Sequence, residues 1–140
     1  MIIKKNILVA CAIIKDALGN ILVTQRSMSM SLPLKWEFPG GKVESGETYE
    51  QAVIREILEE LSINILVMQR LAEVRHEYPE ITVTLIPFLC SITDGQLKLN
   101  EHHAFNWISP VNLLDLDWAE ADIPVVKNYL KMLNPQAHVI

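Results

Sequence analysis

Cysteine is nearly absent from this chain: Cys11 and Cys90 are the only two, each inside an apolar, strand-like run. Neither has the Cys-x-x-Cys or Cys/His spacing of a zinc or redox site, and lone thiols in such runs read as reduced core residues. Reduced thiols belong to a reducing compartment, so the expected location is cytoplasmic. Positive charge is also scarce, with 12 Lys and Arg against 17 Asp and Glu and a formal charge of −5. That balance argues against a nucleic acid polymer or an anionic membrane as partner. It does not exclude a small anion whose charge is met by a divalent cation. Long hydrophobic runs are missing too; none approaches the roughly 18 residues of a membrane helix. Lys4 and Lys5 before "ILVACAII" imitate an export signal, but the run leads directly into "KDALGNILVTQR", which reads as its hairpin partner. No linker, repeat or low-complexity tract interrupts the chain. Residues 1–140 therefore read as one domain with no obligatory protein partner evident.

What is present is an alternation of strand and helix signals. Residues 6–15 are almost continuously apolar, "DALGN" supplies turn chemistry, and 21–26 continue as a second strand. "WEF" is a short strand stopped by "PGG". From Thr48 to Leu61 the period becomes helical, with Val53, Ile57 and Leu61 at i, i+4, i+8 and Ile54 and Leu58 widening the stripe. Strands are expected at 63–67, 71–78 and 81–91, and "AFNWI" is a further short one. Ser109-Pro110 has the form of a helix start, and "DIPVVKNYLKML" reads as a closing amphipathic helix. The order makes an α/β (α+β) sandwich with a mixed sheet against helices.

Between Gly40 and Ile63 lie six glutamates. On a helix Glu56, Glu59 and Glu60 project from neighbouring turns. Carboxylates so placed raise one another's pKa unless a positive group sits among them. Arg55 is one turn from Glu59, yet a single cation does not balance the group. Mg²⁺ or Mn²⁺ would, being hard ions that take carboxylate and phosphate oxygens together. The glycine turn "PGGKVESGE" adds backbone that can approach a ligand closely. Such a site suits substitution at phosphorus. A short "REILEE" alone is also what a solvated helix face looks like, so the reading rests on the whole arrangement.

That arrangement is Gly41, five residues, Glu47, seven residues, then Arg55-Glu56-Ile57-x-Glu59-Glu60-x-Ser62-Ile63. It resembles the box of the Nudix hydrolases at every fixed position but Ser62, where the family has glycine. The lead-in "WEFPGGK" is typical of the MutT-like branch, and the resemblance runs over nearly the whole chain. It implies a Nudix-type α/β/α sandwich that hydrolyses nucleotides with bound Mg²⁺ or Mn²⁺. It also implies roles. Glu56, Glu59 and Glu60 stand at ligand positions, Gly40 where a backbone carbonyl completes the shell, and Glu47 where it orients Arg55 and water. Arg55 in turn holds the glutamates. Glu101, six residues before Trp107, is implied as an added ligand or base, and Arg26 matches a phosphate-contacting arginine. Serine at 62 would sit in a left-handed conformation at a cost of about 1 kcal/mol, or the helix ends another way; either way no ligand is touched.

The segment "EHHAFNWISPVNLLDLDWAEADIPVV" bears on the substrate. Its Ala-Asp-Ile-Pro stretch resembles the CTP pyrophosphohydrolase branch, and Asp122 stands where the oxidised-guanine enzymes place an asparagine that reads the base. An aspartate accepts from the cytosine amino group; protonated, it donates, which leaves guanine-type bases open. Asp122 reads equally as the N-cap of the last helix. Phe38 and Tyr78 are candidate stacking faces, or core. His102 and His103 are expected on the surface, and His76 and His138 carry no signal. The expected activity is Mg²⁺-dependent hydrolysis of (deoxy)cytidine-type or modified pyrimidine triphosphates to monophosphate and pyrophosphate. The alternative is 8-oxo-dGTP, in either case nucleotide-pool cleansing. ADP-ribose or nucleotide-sugar cleavage is disfavoured by the short N-terminus, which leaves no room for a dimer-building domain. A non-catalytic sensor is disfavoured because every box carboxylate is kept.

Overall fold

The computed structural model describes residues 3–135, so His138 lies outside the described residues. The strands are β1 (Lys5–Ile14), β2 (Ile21–Gln25), β3 (Trp36–Glu37), β4 (Gly40–Lys42), β5 (Ile63–Arg70), β6 (Val74–Glu77), β7 (Ile81–Gly95) and β8 (Ala104–Ile108). The helices are α1 (Tyr49–Leu61) and α2 (Asp122–Leu133), with a 3-10 turn at Pro110–Asp115. One mixed sheet runs β4-β1-β7-β5, with β6 also on β7, and β1 lies parallel to β7. A smaller antiparallel sheet runs β3-β2-β8. No helix is long and apolar enough to cross a membrane among these residues.

Both faces of β1 are covered, which explains its unbroken apolar run. Ala10, Ala12 and Ile14 pack with Val53, Ile57 and Leu61 of α1. Cys11 and Ile13 face the other way, onto Val125, Val126 and Tyr129 of α2. Strand β7 divides likewise, giving Ile86, Phe88 and Cys90 to the first core and Leu85 to the second. The two free thiols thus lie in different cores, both buried. The sandwich expected from the sequence is present, with α1 and α2 on opposite faces.

Several expectations change. The "DALGN" turn forms, with the Asp16 and Asn20 backbones paired at 3.0 Å. Yet β1 and β2 share only the Lys15–Ile21 bridge and then diverge into different sheets, so they are not hairpin partners. Two strands each buried on both faces need more neighbours than one another. "PGG" does stop the short strand β3, but Gly40 and Gly41 then begin β4 and pair with Cys11 and Ala10. Ile54 and Leu58 do not widen the buried stripe of α1; both are exposed, and Ala52 and Glu60 are buried in their place. Helix α1 itself starts at a capping box between Thr48 and Gln51. Ser109-Pro110 starts a 3-10 turn, not an α-helix, and the Ser109 side chain makes no capping bond.

Candidate functional site

The β3–β4 segment, from Glu37 to Lys42, lines one side of a cleft of about 510 Å³, and helix α1 packs against that segment. Two glycines make their approach possible. A side chain on Gly40 would run into the backbone of Ala10 and Cys11 on β1, and one on Gly41 would occupy the space of the Glu56 carboxylate. The β4 backbone therefore lies against α1 with no side chain between, and the Gly40 N–H donates to Glu60 Oε1 at 3.3 Å.

Arg55 organises the outer carboxylates. Its Nε and Nη2 donate to the two oxygens of Glu47 at 3.0 and 2.6 Å, a bidentate fork. Nη1 reaches Glu56 Oε1 at 2.8 Å and Glu59 more loosely at 3.4 Å, and Nη2 also donates to the Lys42 carbonyl. The Arg55 hydrogen bonds hold the Glu47 carboxyl down to about 2, helped by the Glu44 backbone N–H. Glu60 is the opposite case. It is only 4 % exposed, and desolvation, then the charges of Glu37, Glu56 and Glu101, push its carboxyl up to about 9. Glu101 itself is exposed, on the loop whose Asn100 N–H donates to the Glu60 carbonyl at 3.0 Å.

The donor set around Glu60 is all hard oxygen, and burial among three other carboxylates is what a divalent cation relieves. Among the described residues no three ligating side chains already converge; Glu56 and Glu59 are turned toward Arg55. The chemistry of the site fits Mg²⁺ or Mn²⁺.

Arg26, Phe38, Tyr78 and Asp122 are brought together on the walls of the same cleft, with Glu37, Gly40 and Gly41. Phe38 is both core and wall: its ring packs on Trp118 at 4.8 Å. Tyr78 is half-buried, and its hydroxyl accepts the Ala121 N–H at 3.2 Å. Asp122 does not cap α2; Ala121 holds the N-cap position with no side-chain bond. The Asp122 carboxyl instead accepts the Phe38 N–H on Oδ2 at 2.9 Å. Desolvation, then the charge of Glu37, pushes it up to about 8. Arg26 is already engaged, donating from Nη1 to Glu37 and from Nε and Nη2 to Ser31.

Sequence reasoning missed Glu37. It binds Arg26 at 2.7 Å through one oxygen and His102 Nε2 at 2.8 Å through the other, and its charge acts on both Glu60 and Asp122. A lone glutamate in a two-residue strand gives no periodic signal, and its imidazole partner is 65 positions away. His102 is accordingly buried, not on the surface as expected, because Glu37 supplies a partner inside; His103 is exposed. His76, on β6, packs edge-on to Tyr78 and reaches Glu120.

The NUDIX domain family matches residues 5–129. The 8-oxo-dGTP diphosphatase of Escherichia coli (strain K12) is 34% identical over 122 residues, 87% of this chain and 95% of its own length. The CTP pyrophosphohydrolase of the same organism is 36% identical over 128 residues, 91% of this chain and 94% of its own. The crystal structure of the MutT protein from Methanosarcina mazei Go1 superposes with a TM-score of 0.86 at 26% identity, covering 96% of this chain and 99% of that one.

Proposed function

This chain belongs to the Nudix hydrolase family, and from that premise we propose that it hydrolyses nucleoside triphosphates to monophosphate and pyrophosphate, acting on (deoxy)cytidine-type or modified pyrimidine nucleotides. Nudix hydrolases generally depend on a divalent metal; the ion proposed here is Mg²⁺, with Mn²⁺ as substitute. Glu56, Glu59, Glu60 and Glu101 would hold it, with the Gly40 carbonyl. When bound, it supplies charge neutralisation of phosphate oxygens and a lowered pKa for the attacking water.

The observation that carries the reading is Glu60, a carboxylate buried among carboxylates and bonded to the N–H of Gly40, which lines a cleft that also holds Asp122. Such a group is tolerable when a cation and a polyanion arrive together. The residues of the chain then divide the work. Arg55, gripped by Glu47, fixes the rotamers of Glu56 and Glu59. Arg26 has N–H groups beyond those used by Glu37 and Ser31, and these face phosphate or sugar. Glu101, exposed and close enough to act on Glu60, accepts the proton of the attacking water, as would a box glutamate. Phe38 and Tyr78 flank the base, and Asp122 reads its edge. Ionised, Asp122 accepts from the cytosine amino group.

A second reading, 8-oxo-dGTP, is supported by the same residue: a carboxyl pushed up to about 8 is largely protonated at neutral pH and donates to a purine carbonyl. A hydrolysis screen with Mg²⁺ over ordinary, methylated and oxidised triphosphates, separating pyrophosphate from orthophosphate, tests both. Preferred turnover of cytidine compounds with pyrophosphate released supports the main reading. Preference for 8-oxo-dGTP moves the substrate to the second. Orthophosphate as first product overturns the reaction itself.

A further inference from the structure

His102 is the one buried side chain among the described residues with a polar atom lacking any partner: Nδ1 meets neither a donor nor an acceptor. Its other nitrogen, Nε2, lies 2.8 Å from Glu37 Oε2, and the imidazole is 2 % exposed. A carboxylate only accepts, so Nε2 carries the hydrogen. The orphaned Nδ1 is then a bare lone pair, cheaper to bury than an N–H with no acceptor. The ring is locked as the Nε2–H tautomer. The next residue is pinned as well, the His103 N–H donating to the Gln25 carbonyl at 2.9 Å beside Arg26.

The consequence falls on Arg26. Glu37 divides its two oxygens between partners, Oε1 to Arg26 Nη1 and Oε2 to His102 Nε2. A carboxylate tied at Oε2 by His102 cannot swing, so Oε1 stays aimed at Arg26 Nη1. Arg26 is held side-on, its Nε and Nη2 each giving one N–H to Ser31, so the guanidinium keeps N–H groups free on the cleft wall.

We propose that His102 is a positioning residue: by anchoring Oε2 of Glu37 it fixes the carboxylate whose other oxygen holds Arg26, and so keeps that guanidinium presented to the nucleotide. The proposal rests on the functional reading above. It names a role for a histidine that never touches substrate.

The test compares steady-state kinetics of the native protein with His102→Phe, His102→Gln, Arg26→Ala and the Arg26→Ala/His102→Phe double variant. Phenylalanine fills the space without a donor, and KM for the nucleotide is expected to rise about tenfold with kcat and half-saturating Mg²⁺ little changed. Glutamine can return an N–H to Glu37, and KM is expected to recover to within about threefold of native. In the Arg26→Ala background His102→Phe is expected to add nothing, since the two act through one group. Nitrogen-15 spectra of the native imidazole should report the Nε2–H tautomer. Additive effects in the double variant, a raised Mg²⁺ requirement with unchanged KM, or the Nδ1–H tautomer would overturn the proposal. A His102→Phe variant too unstable to assay leaves the glutamine variant and the spectrum to decide: a Gln variant with native KM and an Nε2–H ring support it, and a KM as high as that of Arg26→Ala sinks it. A native protein with no turnover strikes the functional reading and removes the proposal with it; native turnover with an unmoved KM in His102→Phe strikes the proposal alone.

Discussion

Single residues here carry charges that the fold holds at a penalty, and the penalty is measurable. Asp122 is buried against Phe38 and pushed up to about 8, against a value near 3.8 in an open chain. Between those two values the folded protein holds a proton that the unfolded chain has released. Folding therefore takes up a proton, and stability falls as pH rises through that window. Asp122→Asn should flatten this slope: thermal melts at pH 5 and pH 8 should differ less in the variant than in the native protein. At pH 8 the variant should melt higher, by roughly 3–6 °C. An unchanged pH difference would show that Asp122 ionises freely. On the proposed function Glu60→Gln should lose at least about a hundredfold in turnover while the protein stays folded, because a neutral amide would not replace the carboxylate as the proposed ion ligand. Retained turnover would remove Glu60 from the machinery. Residues of this kind differed in how far sequence exposed them. The glutamates of α1 stand at helical spacing and announced themselves. Glu37 and His102 meet only because β3 and the loop before β8 are brought together by β2, a long-range contact that no local pattern encodes.

At the level of elements, the end of α1 shows how one departure from the family box is accommodated. Ser62 takes the left-handed conformation, φ 59°, that the box glycine would take, and its N–H returns to the Leu58 carbonyl. The strain, about 1 kcal/mol, is offset by Asn100. The Asn100 side-chain amide donates to Ser62 Oγ at 3.0 Å and to the Glu59 carbonyl at 2.8 Å, while Lys98 and Asn100 N–H groups take the Leu61 and Glu60 carbonyls. The segment carrying Glu101 is thus sewn to the helix carrying Glu59 and Glu60. Asn100→Ala should destabilise the fold by about 1–2 kcal/mol by denaturant melt and raise the Mg²⁺ concentration needed for half-maximal rate. Ser62→Gly should stay within about 0.5 kcal/mol of native, relief of strain balancing the lost hydroxyl. A more harmful Ser62→Gly than Asn100→Ala would refute this account. The helix was legible because stripe and cap lie within fourteen consecutive residues. Strand β4 was not, since "GGK" has no apolar pattern and exists only because β1 accepts a backbone without side chains. The hairpin expectation failed for a related reason: turn chemistry fixes a reversal, not which sheet the two arms join.

For the whole molecule, the sandwich and the cleft depend on each other through a single strand. Odd-numbered residues of β1, from Ile7 and Val9 to Cys11, line the cleft, while even-numbered ones clamp α1 beneath it. The α1 carboxylates and the cleft therefore meet beside one strand, where Gly40 of the neighbouring β4 bonds Glu60, and an ion with a triphosphate should couple them. On the proposed function either ligand alone meets an incomplete partner: the ion would have carboxylates without phosphate, and the nucleotide would meet the charge of Glu37 on the cleft wall. Binding only to the folded state stabilises by RT ln(1 + [L]/Kd), about 2.7 kcal/mol at a hundredfold excess over Kd. For a chain of 140 residues that is a rise in Tm of roughly 6–12 °C. Melts with Mg²⁺, with a non-cleavable triphosphate analogue and with both should show a joint shift larger than the sum of the separate ones. Glu60→Gln should abolish the excess and keep any shift due to the nucleotide cleft alone. Equal, additive shifts would mean that the acidic end and the nucleotide cleft work independently, and the shared site would have to be given up.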